Sequence, residues 1–329
     1  MRITVLTYVE REGSTKYDPV VVQVAEALSR RKHKVSILGV RSDVLKLVET
    51  FGGAGERKKK PDLVFNLLEM FGDDVCGDVS AVGLLDALGV RYTGCGPGEL
   101  YLAQNKAITK KLLAFDGILF PRFAVFGRDA ALEIGGNLRP PLFVKPLCMD
   151  ASIGIDARGI VHDAKALMRR VSKIHDECHD AALAEEYIEG REFYVGILGN
   201  QQPIALPPIE MDFSKLPAGR PHVLDAKAKF EKGTVEYEGT RAVVADIPAE
   251  LRARLQKVSL DAYRAVGVRD YGRVDLRLMP SGEIYVLEVN ASCYLEQSSE
   301  LAIAAREGGL EYDDLIERIV SLACERHSR

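Results

Sequence analysis

Along the first hundred residues, short blocks of alternating or β-branched apolar residues recur at regular intervals, with helix-period stretches between them. Ile3 to Thr7, Val35 to Val40, Leu63 to Leu67 and Val90 to Thr93 read as strands, and Pro19 to Arg31 and Val79 to Leu88 as helices. Strand and helix in alternation predict a parallel sheet covered by helices, with ligands beyond the strand C-termini. The pattern restarts near Gln104-Asn105-Lys106. A helix over Lys106 to Ala114 stops at Gly117, strands follow at Pro121 to Phe126, Pro141 to Pro146 and Ala182 to Ile188, and a helix spans Ala164 to Cys178. A third stretch opens with the strand Arg191 to Leu198 and closes with an amphipathic helix, Tyr312 to Ala323. The units are 1–104, 105–190 and 191–329.

The most informative pattern lies in the third unit. Tyr271 to Met279 and Glu283 to Asn290 alternate with period 2 and are joined by a tight Ser281-Gly282 turn, which predicts a hairpin. If Pro280 faces Glu283, Asp275 lies opposite Glu288 and Arg273 opposite Asn290, with Glu288 and Asn290 on one face. Facing carboxylates repel unless a cation lies between them. Oxygen-only ligands select a hard ion, and magnesium accepts one or two carboxylates and completes its shell with water and phosphate oxygens. The plainer alternative is an edge hairpin whose acids face water.

A length of 329 residues predicts two or three domains. Hydrophobic content of 47% with 28% charged residues describes a soluble globular chain. A net charge of −4 argues against a nucleic-acid partner, and the basic run Arg57 to Lys60 reads as a solvated loop. Six cysteines without CxxC pairs fit reduced thiols. The chain opens directly on a strand with no signal pattern, and no apolar run approaches the ~20 residues that span a bilayer. These features predict a cytoplasmic protein with no membrane partner.

Further candidate chemistry lies in the central unit and at its borders. Lys145 ends the apolar run Leu142-Phe143-Val144, and the small residues Ala151 to Ile155 follow, so a lysine and folded backbone N–H groups could hold a triphosphate without a Walker A helix. Glu185 and Glu192 supply acceptors for an adenine amino group and ribose hydroxyls, or are solvated acids of a polar linker. Gly94-Cys95-Gly96-Pro97-Gly98 is a weak dinucleotide match because its spacing is wrong and Pro97 lacks an N–H. His175 and His179 share a helical face that could bind zinc, but no third ligand is evident. No G-x-S-x-G elbow supports a triad hydrolase.

Taken in order, these segments resemble the D-alanine–D-alanine ligase branch of the ATP-grasp superfamily. The resemblance runs over nearly the whole chain: Val64-Phe65-Asn66-Leu67, Leu88 to Gly94, Asn105-Lys106, Phe143-Val144-Lys145-Pro146, Ser152-Ile153-Gly154, Glu185 to Glu192, Lys229-Phe230, Arg273-Val274-Asp275 and Leu287-Glu288-Val289-Asn290. It implies a three-domain α+β ATP-grasp fold divided as above, with nucleotide between the central and C-terminal domains. By the same resemblance Lys106, Lys145 and Lys229 contact ATP phosphates, and Glu185, Glu186, Ile188 and Glu192 complete the nucleotide site. Asp275, Glu288 and Asn290 bind two magnesium ions, with manganese as an alternative. Arg273 stabilises the oxyanion, Ser152 and Lys229 act beside it, and Ser299 meets the acceptor's carboxylate. A homodimer is implied as well.

Departures fall on the amino-acid side. Glu69-Met70 replaces the family's His-Gly, Ala151 its first serine, Phe230 a tyrosine, and Cys293-Tyr294-Leu295-Glu296 its Pro-Gly, while Glu12 in Glu10-Arg11-Glu12 only loosely echoes the N-terminal motif. The substrate residues expected from this mapping are Glu12, Glu69, Phe230, Tyr294 and Ser299. A pocket that gains a carboxylate and loses hydroxyls rejects the original ligand, since an unmatched buried polar group costs ~1–3 kcal/mol. The expected activity is ATP-dependent joining of two small amino acids through an acyl phosphate. Alternatives are a D-alanine–D-alanine ligase of peptidoglycan synthesis, an ester-forming variant with a hydroxy-acid acceptor, and, from another class, a non-catalytic nucleotide-binding protein.

Overall fold

The computed structural model describes residues 1–329 except 53–59, 73, 130, 135–136, 150–153, 218, 221, 225–227, 229–230 and 328–329. Helices and strands mix as the apolar pattern predicts, and among the described residues the strands form three sheets. The first is parallel, in the order β2 (Lys34–Val40), β1 (Arg2–Tyr8), β3 (Leu63–Leu67). Helix Pro19–Arg30 covers it, started by Asp18 accepting from the Val20 N–H and by Pro19 at its first position. Its buried residues Val20, Val21, Val24, Ala27 and Leu28 form one helical stripe.

The expected fourth strand, Val90 to Thr93, is reduced to a single bridge between Val64 and Tyr92. The chain leaves the sheet at Gly94 because Pro97 opens a helix, Pro97–Gln104, whose Glu99 accepts from the Gly96 N–H at 2.9 Å. Helix Lys106–Phe115 follows at once, capped by Asn105, which accepts from the Ile108 N–H at 3.1 Å.

The second sheet is antiparallel and comprises β4 (Phe123–Phe126), β5 (Leu132–Ile134), β6 (Leu142–Pro146), β7 (Ile160–Val161) and β8 (Ala182–Glu186), in the order β5-β4-β8-β6-β7. It has its own core, Leu142, Val144, Val161 and Ala184 packing on Val171 and Ile174 of helix Ala164–Glu177. Gly190 then lets the chain cross into the third sheet, because a Cβ there would lie 2.0 Å from the Leu278 carbonyl oxygen.

The third sheet holds β9 (Arg191–Leu198), β10 (Ile204–Ala205), β11 (Ile209–Asp212), β12 (Arg241–Val244), β13 (Tyr271–Leu278) and β14 (Ile284–Asn290). Its order is β12-β11-β9-β13-β14, with β10 paired to β9. A continuous buried cluster joins Leu6 and Val64 of the first sheet to Phe193, Val274 and Val286 of the third. Helix Tyr312–His327 ties the two together at the surface, with Asp313 accepting from Arg30 at 2.7 and 2.8 Å. Among the described residues no helix is long and apolar enough to cross a membrane.

The β13–β14 hairpin has the expected pairs, Asp275 with Glu288 and Arg273 with Asn290, but not the expected turn. Met279, not Pro280, faces Glu283, its N–H donating to the Glu283 carbonyl at 2.9 Å, so the loop has three residues and ends on Gly282 with φ +95°. A register shift between Asp275 and Leu276 restores the phase. The extra residue is Leu287, since Leu276 pairs with Val286 and Asp275 with Glu288.

Candidate functional site

A cavity opens between the second and third sheets. Phe143, Lys145, Glu185, Glu186, Tyr187 and Ile188 line one wall, and Glu192, Tyr194, Asp275, Arg277, Leu287 and Glu288 the other, with Val223 and Leu224 alongside. Strand registers put these groups together. Phe143 of β6 lies opposite Glu185 of β8, and on β13 Asp275 and Arg277 lie opposite Tyr194 and Glu192 of β9. The result is a slot with apolar patches and charged groups of both signs, the composition of a small-molecule site.

Glu185 is 3% exposed and lies between two ammonium groups, Lys110 at 2.7 Å and Lys145 at 3.0 Å. Burial pushes its pKa up, but Lys110 and Lys145 outweigh it and hold the carboxyl below the usual range. Burial lowers the pKa of Lys110 despite Glu185. Glu185, expected as an acceptor for an adenine amino group, is the centre of a buried ionic triad. Glu192 is paired with Arg277 and accepts from the Tyr194 hydroxyl at 2.5 Å. The same guanidinium donates to the carbonyls of Ile188 at 3.2 Å and His222 at 3.0 Å, pinning the segment that edges the cavity. The Glu186 side chain turns to the Arg139 N–H at 3.0 Å.

At the hairpin end, Arg273 grips both oxygens of Asp275, at 2.7 and 2.9 Å, and donates to Glu300 at 3.0 Å while lying 4.7 Å above the Tyr194 ring. Asn290 donates to Asp275 at 3.1 Å. Lys106 Nζ is 3.0 Å from Glu288 and donates to the Met149 carbonyl at 2.9 Å. Among the described residues no group of three or more His, Cys, Asp or Glu side chains is arranged to hold a metal ion. Two carboxylates and an amide are too few for a protein-only cage but suit magnesium, which brings water and phosphate oxygens to the rest of its octahedron. The donor set fits that ion. His175 of the zinc alternative is engaged elsewhere, its Nε2 2.9 Å from the Phe126 carbonyl.

The expected substrate residues scatter more widely. Ser299, 8% exposed, precedes helix Glu300–Glu307, and its hydroxyl has no hydrogen-bond partner among the described residues. Tyr294 donates to Asp18 at 2.6 Å, and burial, Asp18, Glu296 and Glu69 all push its hydroxyl pKa up. Glu69 is exposed and close enough to act on that group. Glu12 turns away into the loop before helix Val44–Phe51, accepting from the Arg41 N–H at 2.6 Å and the Ser42 N–H at 3.1 Å. Burial raises its pKa, but those bonds and Lys46 outweigh it and lower the carboxyl overall. Ser152, Lys229 and Phe230 lie outside the described residues.

Among the described residues, the ion pairs of the site also involve Lys110, Arg277 and Glu300, which the sequence does not mark out. Lys110 lies one turn after Lys106 on the same helical face, Arg277 continues the period-2 series Arg273, Asp275, and Glu300 directly follows Ser299.

Residues 114–321 match the family model described as "D-ala D-ala ligase C-terminus". An uncharacterised protein of Sinorhizobium fredii, y4sG, is 33% identical over 92% of this chain and 87% of its own length. The D-alanine–D-alanine ligase of Pelotomaculum thermopropionicum is 30% identical over 95% of both chains. The crystal structure of the Bacillus anthracis D-alanine–D-alanine ligase complexed with ATP superimposes with a TM-score of 0.74 at 24% identity, covering 100% of this chain and 99% of that one.

Proposed function

The chain belongs to the D-alanine–D-alanine ligase family of ATP-grasp proteins, and from that premise we propose that it is an ATP-dependent ligase joining two small amino acids by a peptide or amide bond. The observation that carries this reading is the cavity in which Lys145 and Glu185 share one slot with the facing acids Asp275 and Glu288. A non-catalytic nucleotide binder has no need of an arginine held between Asp275 and Glu300 at the same place.

In this reading a donor carboxylate oxygen attacks the γ-phosphorus of ATP, the bond to the ADP oxygen breaks, and an acyl phosphate forms. The acceptor amine then attacks the acyl carbon and phosphate leaves. Lys145, which lines the slot, and Lys106, beside Glu288, hold phosphate charge. Asp275, Glu288 and Asn290 would hold magnesium, which would supply positive charge against the phosphate charge of the nucleotide. Arg273 and Lys106 provide positive charge beside those acids. Arg273, kept planar and oriented by Asp275, Glu300 and the Tyr194 ring, is set to stabilise the oxyanion of the tetrahedral adduct.

The substrate pair is not two D-alanines. Glu69, Asp18 and Glu296 surround Tyr294 with negative charge, which favours a substrate carrying an extra ammonium or other donor. A cytoplasmic homodimer completes the proposal. The test is phosphate release by the purified protein with ATP and magnesium, over paired D- and L-amino acids. Release that depends on amino acids and is low with D-alanine alone supports the reading, and efficient conversion of D-alanine alone restores the peptidoglycan ligase.

A further inference from the structure

Lys110 is the most deeply buried lysine of the site and does not line the cavity. It is 1% exposed, on the inner face of helix Lys106–Phe115, one turn beyond Lys106. A lysine is rarely buried to this degree unless paired. Its ammonium lies 2.7 Å from one oxygen of Glu185, donates to the Leu287 carbonyl at 3.3 Å and stands 5.9 Å from the centre of the Phe120 ring. The other oxygen of Glu185 is 3.0 Å from Lys145.

Charge decides what this arrangement does. Lys145 and Glu185 alone would form a neutral buried pair, and an ammonium so satisfied gains little by turning to a phosphate. With Lys110 present, two ammonium groups share one carboxylate, and one positive charge is left over. Lys110 is sealed behind the wall, so that surplus is expressed at Lys145, which faces the cavity. The same ammonium holds the carbonyl of Leu287, the residue inserted at the register shift, whose neighbour Glu288 belongs to the acidic pair.

We propose that Lys110 is a positioning residue that touches no ligand and shares Glu185 with Lys145, so that Lys145 is free to bind nucleotide phosphate. This rests on the reading of the cavity as the ATP site.

A double-mutant cycle on ATP binding, read by calorimetry with thermal melts to verify folding, tests it. Lys110→Met should weaken ATP about 10- to 100-fold, the range of a lost charge-assisted contact. In a Glu185→Gln background, where Lys145 no longer has a carboxylate to neutralise it, the same change should cost no more than about threefold. An unchanged affinity in Lys110→Met, or equal losses in both backgrounds, overturns the role of Lys110. Should Lys110→Met alone not fold, Glu185→Gln against Lys110→Met/Glu185→Gln still decides, and a roughly tenfold gap between those two contradicts the inference. Failure of the wild-type chain to bind ATP, or Lys145→Ala leaving affinity intact, overturns the cavity reading itself, which separates the two.

Discussion

Asp275 and Glu288 face each other across the β13–β14 ladder, and each is already met by a cation, Arg273 at 2.7 Å and Lys106 at 3.0 Å. Two acids so placed are stable only while positive charge lies beside them. Asp275→Asn and Glu288→Gln keep shape and remove charge, so each variant should fold and lose turnover by roughly 100-fold or more, from several kcal/mol of lost stabilisation of phosphate charge. Phosphate-release rates alongside melting curves measure both. Wild-type rates in either variant would remove the hairpin from the mechanism.

Of the two lysines that share Glu185, Lys145 is the one that lines the cavity. Lys145→Ala should weaken ATP by about 10- to 100-fold in calorimetry, through loss of a charge-assisted phosphate contact. The effect on the amino-acid KM should be small by comparison.

The triad also makes stability depend on acid. Glu185 titrates below 4.5, the ordinary glutamate value, because the two lysines outweigh the cost of burial. A depressed carboxylate contributes stability that is fully present above that ordinary value and is lost as pH falls through the lower folded value. Urea unfolding should therefore show a loss of stability as pH falls below 4.5 that is smaller in Glu185→Gln. Identical acid profiles would show that Glu185 does not carry this dependence.

Glu69, proposed to lie on the substrate side, pushes the Tyr294 hydroxyl pKa up together with Asp18 and Glu296. Glu69→Gln should reduce kcat/KM for a substrate bearing a second ammonium by roughly tenfold relative to D-alanine, the worth of one charge-assisted hydrogen bond. An unchanged ratio would place the discriminating contact elsewhere.

How much of this was legible in the sequence varies with the physics of each element. The hairpin could be read because period-2 alternation survives in both strands, and its facing acids were read correctly although the turn was not. A bulge adds one residue without changing composition, so the three-residue loop and the insertion at Leu287 offset one another invisibly. Strand Val90 to Thr93 failed because its apolar run resembles a strand while Pro97 and Glu99 recruit the chain into a helix. Lys110 and Arg277 were missed for a different reason. A buried charge looks like a solvated one in sequence, and only the fold shows that Glu185 and Glu192 wait for them. Glu12 was placed with the substrate by a loose motif, whereas the backbone N–H groups of Arg41 and Ser42 claim its carboxylate.

In the proposed reaction a carboxylate is activated by phosphoryl transfer before an amine attacks it. A donor amino acid with both carboxylate oxygens replaced by oxygen-18, supplied with ATP, magnesium and the acceptor found by the phosphate-release screen, tests this directly by mass spectrometry of the products. One labelled oxygen in each released phosphate and one retained in the new amide carbonyl is the predicted result. Unlabelled phosphate, with both labels still on the donor, would contradict it.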